Sequence, residues 1–336
     1  MDFSLHKDFS EISAAAWNAL VEQSIADTPF SRYEYLSQWW KTRGGGEWQN
    51  AELILVSASE GDQLTGIAPL FLVEHDGQRA LLLVGSIEIS DYLDLIVREQ
   101  DLERFVSGLL DFVAARQEGW SGLDWYNLPD TSPTVAALKA EAERRGWAHS
   151  EEIYRPTPRI PLSGSFEDYL ARVDKKQRHE IRRKMRRAAE SEKNVRFTIA
   201  NGTENIDSEI DAFFELMAQD PAKAEFLHAA MRAQMSATIQ DAHAHGYLWL
   251  AFLEVDGAKT AASLNFDYKN KLWGYNSGVS SEHRELSPGW VLLAHTIQWC
   301  CENGRYEFDF MRGDEEYKYR FGGVNKFVMR VKVSKS

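Results

Sequence analysis

The chain has 336 residues, 44% hydrophobic and 26% charged, and a net charge of −13. That composition is ordinary for a soluble globular protein, and the length suits two domains of roughly 150 residues each. The acidic balance argues against non-specific DNA binding, the apolar runs fall short of a membrane span, and the adjacent Cys300 and Cys301 suit neither a framework disulfide nor a metal site.

The charge is uneven. Residues 1–160 hold 13 Lys+Arg against 26 Asp+Glu, and the remainder holds 25 of each. Met1–Leu5 carries no basic, apolar leader, so the cytoplasm is the expected compartment. Helices are expected over 13–24 and 33–40. Gly44-Gly45-Gly46 reads as a flexible loop, because no Lys-Ser/Thr follows it and no strand precedes it. Strands follow over 51–57 and 64–74, with Pro69 at a bulge or edge, and His75-Asp76-Gly77 is a hairpin turn. After an apolar run over 79–84, Asp91 and Asp94 flank Tyr92 and Leu93 at an expected strand start. Two carboxylates three apart suit a polar strand edge, shared general acid/base work or the orientation of a substrate amine. A helix over 102–116, a strand over 123–128, a helix over 132–145 ended by Gly146 and a strand over 147–154 complete the first half.

Three prolines in 155–161 predict a stiff connector. A long helix is expected over 165–190, capped by Ser165 with Asp168 at its third position. Eight basic residues between Lys175 and Arg187, Arg182 among them, face a single acid, Glu180. Such a face is either solvated or attracts phosphates, whether of an acceptor, CoA, tRNA or lipid headgroups. A strand over 195–200 and helices over 209–219 and 222–244 follow. His243 and His245 have no Cys or acid cluster beside them and suit a helix end better than a metal; no metal site is expected.

From 248 the pattern is strand, Asp256-Gly257 turn, strands over 260–268 and 271–277, then Ser287-Pro288-Gly289. Trp290, Leu292, Leu293, Thr296, Ile297 and Cys300 then follow at helical spacing. Ser287 is placed to cap this helix and Pro288 to fill its first turn. A small-residue loop feeding a helix start is compatible with an ordinary cap or with an anion site. A short strand over 306–311 leads into Arg312-Gly313-Asp314-Glu315-Glu316-Tyr317-Lys318-Tyr319-Arg320-Phe321-Gly322.

The run from Tyr275 through Ser287-Pro288-Gly289 and Phe308-Asp309-Phe310-Met311-Arg312-Gly313 to Gly322 resembles the C-terminal module of CelD-type (BioF2-like) acyltransferases. These are relatives of the GNAT acetyltransferases and the FemABX peptidyltransferases. The likeness extends to the basic helix and, more weakly, to the first half. It implies an α/β fold of two tandem GNAT-like modules, with mixed, mostly antiparallel sheets packed by helices. The modules would span 1–154 and 165–336, joined by 155–164. The implied reaction is acyl transfer from acyl-CoA, a co-substrate rather than a resident cofactor, to an amine of a small molecule or a cell-envelope or polysaccharide precursor. FemABX-type transfer from aminoacyl-tRNA and a non-catalytic ligand-binding protein are the alternatives.

By the same resemblance, the pyrophosphate rests on Ser287, Pro288, Gly289 and Trp290, with Tyr275 on the donor strand. Only S-P-G stands where GNAT enzymes carry a longer Gly-rich loop. Asp309 is the implied base or amine orienter, with His283 as an outside candidate. Tyr317 is the implied acid for the thiolate, and Lys318 the contact to phosphate or oxyanion. Arg312, Arg320, Asp91, Tyr92 and Arg182 are substrate-binding candidates. The alternative for Asp309 is an ion pair with Lys318 or Arg320 that holds the C-terminal loop.

Overall fold

The computed structural model describes residues 1–48, 50–116, 119–200, 202 and 205–335. It divides into two units, 1–156 with 327–336, and 157–326. In the first, β1 (Asp2–His6), α1 (Ala14–Val21) and α2 (Tyr33–Arg43) precede β2 (Glu52–Glu60), β3 (Gln63–His75), β4 (Gln78–Leu83) and the short β5 (Ile96–Val97). Then come α3 (Leu102–Arg116), β6 (Gly122–Pro129), α4 (Pro133–Arg145) and β7 (Ala148–Pro156). In the second, β8 (Arg159–Pro161), α5 (Phe166–Arg172), α6 (Lys175–Ala189), β9 (Val195–Ile199), α7 (Ile206–Met217), α8 (Pro221–Phe226) and α9 (Ala229–Ala244) lead to β10 (Leu248–Val255), β11 (Ala258–Tyr268) and β12 (Lys271–Val279). After these stand α10 (Pro288–Glu302), β13 (Glu307–Asp309) and α11 (Glu316–Arg320). The last strand, β14 (Phe327–Ser334), lies between β6 and β7 in the sheet of the first unit. The sequence reading ran the second module to the C terminus. The difference arises because the apolar face of β14 is completed by strands some two hundred residues earlier in the chain.

The two sheets repeat one topology. In each, an antiparallel meander (β2-β3-β4 or β10-β11-β12) is followed by a helix and then by a strand pairing parallel to the third (β6 on β4, β13 on β12). Among the described residues all other ladders are antiparallel. Asp256 and Gly257 have φ of +53° and +84°, the two left-handed residues that a tight hairpin between right-twisted strands requires.

Several local expectations change. The single helix over 165–190 is two, because Val173 is extended and Asp174 caps α6 by accepting from the N–H groups of Lys176 and Gln177. The helix over 222–244 likewise breaks at Leu227, with His228 capping α9. Pro69 lies within β3, opposite Leu55; the ring falls where the other neighbour changes from β5 to β4, so no ladder N–H is lost. Residues 90–95 are not a strand. Asp94 instead turns inward, accepting from the hydroxyls of Ser132 and Thr134 and the N–H of Leu95.

Burial pushes the Asp94 carboxyl up from 3.8 to about 6 against those three bonds. The sign is that of an acid held in its neutral form. Its stabilising contribution is complete below the unfolded value near 4 and is lost as pH rises through about 6. At 1.36 kcal/mol per pH unit, this corresponds to about 3 kcal/mol. Asp94→Asn keeps the shape and the Oδ1 acceptor, and its amide NH2 presents a donor to the Ser132 hydroxyl at the Oδ2 position, as the neutral acid does. It is expected to match the parent in urea denaturation near pH 4 and to exceed it above pH 6; parallel curves at both pH values would remove this role from Asp94.

Candidate active site

The second unit holds all the residues that the sequence singled out for chemistry except Asp91, Tyr92 and Asp94. β12 pairs with β13 only over Lys271–Trp273 and Glu307–Asp309, and then runs on to Val279 without it. Gly274 is the point of divergence. A Cβ there would stand 3.0 Å from the Asp309 carbonyl and 3.1 Å from the Phe308 ring, so any larger residue would crowd the two strands where they part. On the other side of β12, Asn265 pairs with Gly274 and Leu264 with Asn276, which makes Tyr275 the extra residue of a bulge. Its ring lies against Phe266. Gly278 is pressed by the end of α7, for a Cβ would come within 2.3 Å of the Met217 nitrogen. The strand is thus fixed on one face and splayed from its parallel neighbour.

At the far end of β12 stands the start of α10. The turn Arg284–Leu286 is flanked by His283 and Ser287, both with φ near +53°. Ser287 makes no side-chain cap, contrary to expectation, because a left-handed residue does not carry its hydroxyl toward the first N–H groups as an extended N-cap residue does. Trp290 and Val291 donate their N–H groups back to the Ser287 carbonyl. Pro288 has no N–H, so the Gly289 N–H is the donor of the first turn without a partner inside the helix. A Cβ on Gly289 would meet Val279 at 2.8 Å, so strand tip and helix start touch. A cavity of about 400 Å³ opens here, lined among others by Ser280, Arg284, Ser287, Gly289 and Trp290. The indole N–H of Trp290 is shut from solvent and has no acceptor among the described residues. On the other side of the Arg284–Leu286 turn, a depression of about 580 Å³ is lined by Arg183, Arg186, Arg187 and Lys193, with Glu190, Glu192 and Glu285 among them. The basic helix α6 therefore borders the start of α10, and Lys184 lies 4.0 Å over the Trp290 ring.

The gap between β12 and β13 is not bare. The Ser277 carbonyl accepts from Lys223 Nζ at 2.6 Å, and the Ser277 N–H donates to Asn276 Oδ1 at 2.8 Å, which also accepts from Lys223 at 3.1 Å. One donor and one acceptor stand where an incoming amide would pair. Burial lowers the Lys223 amine, with Asp220 and Glu315 acting the other way. The residue missed by sequence reasoning is this lysine, which sits in no motif.

Asp309 is fully buried and pairs with neither Lys318 nor Arg320. Its carboxylate meets Lys271 Nζ at 2.8 Å and Arg159 Nε at 3.2 Å, and accepts from the Met311 N–H at 2.8 Å. Lys271 also meets Glu307 at 2.7 Å and lies over the Trp273 ring. A carboxylate held this way is poorly placed to take a proton from a substrate. Lys318 is also buried. Its ammonium donates to the Arg312 carbonyl at 2.7 Å and the Gly313 carbonyl at 3.3 Å and meets Glu315 at 2.9 Å, so it clamps its own loop rather than facing a ligand. Tyr317 is exposed, with its ring edge-on to Phe310. Arg312 is half-buried, and Arg320 pairs with Glu316 on the surface. Arg182 is exposed and pairs with Glu167. His283 contacts Lys193 at 2.6 Å. Asp91 and Tyr92 belong to the first unit, where Tyr92 is buried.

His245 caps α9 and contacts the Asp241 carbonyl. The described residues bring His75, Asp76 and Asp124 together at metal-ligand spacing, but Arg330 and Lys332 already neutralise the two aspartates. Among the described residues no helix is long and apolar enough to cross a membrane.

Residues 175–319 match the Acetyltransferase (GNAT) domain family. No functionally curated protein matches in sequence. Among solved structures the chain is similar to FemX at 12% identity, with 98% of this chain and 97% of that one covered and a TM-score of 0.68. It is similar to L-PGS from Bacillus licheniformis at 10% identity, 96% and 92% coverage and a TM-score of 0.58. It is also similar to a tandem GNAT protein from the clavulanic acid biosynthesis pathway at 13% identity, 100% and 99% coverage and a TM-score of 0.50. The match is thus confined to residues 175–319, while the chain as a whole shares the tandem GNAT-like fold that the resemblance of its motifs implied.

Proposed function

We propose that the GNAT-type domain at 175–319 transfers an acyl group from acyl-CoA, in the cytoplasm, to the amine of a small-molecule or cell-envelope precursor. The observation that carries this reading is the fork of β12 from β13 opening toward the cavity at the start of α10. A diphosphate at that helix start would meet the Gly289 N–H, the positive end of the helix and Arg284. The chain behind it would lie along the open edge of β12, and its acyl carbonyl near the Tyr275 bulge. The remaining steps are loss of a proton by the amine, stabilisation of the oxyanion and protonation of the thiolate. Backbone groups of β12 supply the second. For the first and third, the groups around the fork are Lys223, Glu315 and Tyr317, rather than Asp309 and Lys318.

One observation favours the aminoacyl-tRNA alternative: Lys175, Lys176, Arg186 and Arg187 form an exposed cationic face on α6. A ligand-induced shift in melting separates the readings. CoA at a hundred times its dissociation constant stabilises by about 2.7 kcal/mol. Stabilisation by CoA and acetyl-CoA is expected. Stabilisation by aminoacyl-tRNA alone would move the donor assignment to tRNA, and stabilisation by neither would leave a binding protein of another kind.

A further inference from the structure

We infer that Lys223 is a site of self-acylation, modified by the thioester bound along β12; the inference rests on the acyl-CoA reading above. Three observations meet at this side chain. Its Nζ lies 2.6 Å from the Ser277 carbonyl and 3.1 Å from Asn276 Oδ1, on the edge of β12 that β13 leaves open. Ser277 stands two residues past the Tyr275 bulge and two before Val279, which abuts the donor cavity. The amine is therefore on the path between diphosphate and acyl carbonyl. It is also partly removed from water, which enlarges its unprotonated fraction at neutral pH; the carboxylates of Asp220 and Glu315 limit the effect without reversing it.

The chemistry is complete without a further reactant. The unprotonated amine adds to the thioester carbonyl carbon, forming a C–N bond. The C–S bond breaks with its electron pair on sulfur, and the proton released by the amine passes to the thiolate, giving free CoA thiol and a neutral acyl-lysine. Acylation removes the positive charge and leaves one N–H, so the Ser277 carbonyl keeps a donor while the acyl group fills the open edge. The modified protein should bind donor more weakly, as a brake on enzyme that has met donor without acceptor.

The test needs no acceptor. The whole chain is incubated with acetyl-CoA, and acetylation is followed peptide by peptide by mass spectrometry. Lys175 and Lys176, exposed on α6, serve as internal references. Lys223 is expected to acetylate roughly ten-fold or more faster than either, because the donor is held beside it. Desulfo-CoA, a donor analogue without a thioester, is expected to raise the melting temperature and suppress acetylation of Lys223 but not of the references. Lys223→Arg should remain folded and show no gain of acetyl mass on that peptide. If desulfo-CoA stabilises the protein while Lys223 reacts no faster than Lys175 and Lys176, self-acylation is overturned and the donor assignment stands. If desulfo-CoA does not bind, the donor assignment falls, and this inference with it.

Discussion

Lys271→Met is expected to destabilise the second unit by about 3 kcal/mol, the low end of what breaking a buried ion pair costs. Lys271 is 3% exposed and Asp309 not at all, so the substitution strands a carboxylate that water does not reach. Arg159 at 3.2 Å and the Met311 N–H at 2.8 Å remain, which is why the upper end of the range is not expected. Glu307 is less affected because it retains some contact with solvent. The measurement is urea denaturation followed by a probe in the second unit. Adding Asp309→Asn to Lys271→Met should recover part of the loss, since the stranded charge is then gone. Equal midpoints for parent and Lys271→Met would mean that the cluster contributes nothing to stability.

That result bears on how activity measurements are read. Asp309→Ala removes the partner of two cations, one of them buried, so a dead Asp309→Ala enzyme identifies a base only if its folding is shown to be intact. The same holds for Lys318, whose loss frees the carbonyls of Arg312 and Gly313. Both residues look catalytic in the sequence because a charge set among aromatic residues must be paired or used. For Asp309 sequence cannot say which, since Lys271 and Arg159 lie far along the chain; for Lys318 the partners are close in sequence, but two of them are backbone carbonyls, which no residue type marks.

The same distinction separates what was legible from what was not. The Asp256-Gly257 hairpin, the Ser165–Asp168 capping box and the helix face of Leu292, Ile297 and Cys300 are written within a few residues of themselves, and the structure contains each. The break at Val173 was hidden because the apolar stripe of Leu170, Val173 and Ile181 continues in phase across it; only Asp174, a good N-cap residue, marked the spot. β14 carried no local sign of which sheet it joins. For the site, S-P-G located the helix start but not the left-handed Ser287, and the strand pattern located β12 but not the lysine of α8 lying on its edge. Contacts between elements distant in sequence leave no mark on either.

Gly289→Val is expected to lower affinity for CoA by about 100-fold, close to 3 kcal/mol, while leaving the fold in place. The added Cβ would meet Val279 Cγ2 at 2.8 Å, and the two branched methyls of valine demand still more room. Val279 is 41% exposed and ends its strand, so it is free to move, and the direction left to it is the cavity mouth. The Gly289 N–H would then be screened from a phosphate by the displaced side chain and by its own. The helix itself should tolerate the change, since Gly289 is in its first turn and is not among its buried residues. Isothermal titration with CoA, paired with a melting curve in its absence, separates the two effects. A variant that melts like the parent and no longer binds places the diphosphate at this helix start. A variant that binds as well as the parent moves the diphosphate elsewhere, and the Arg183–Arg187 depression on the other side of the Arg284–Leu286 turn becomes the place to look for it.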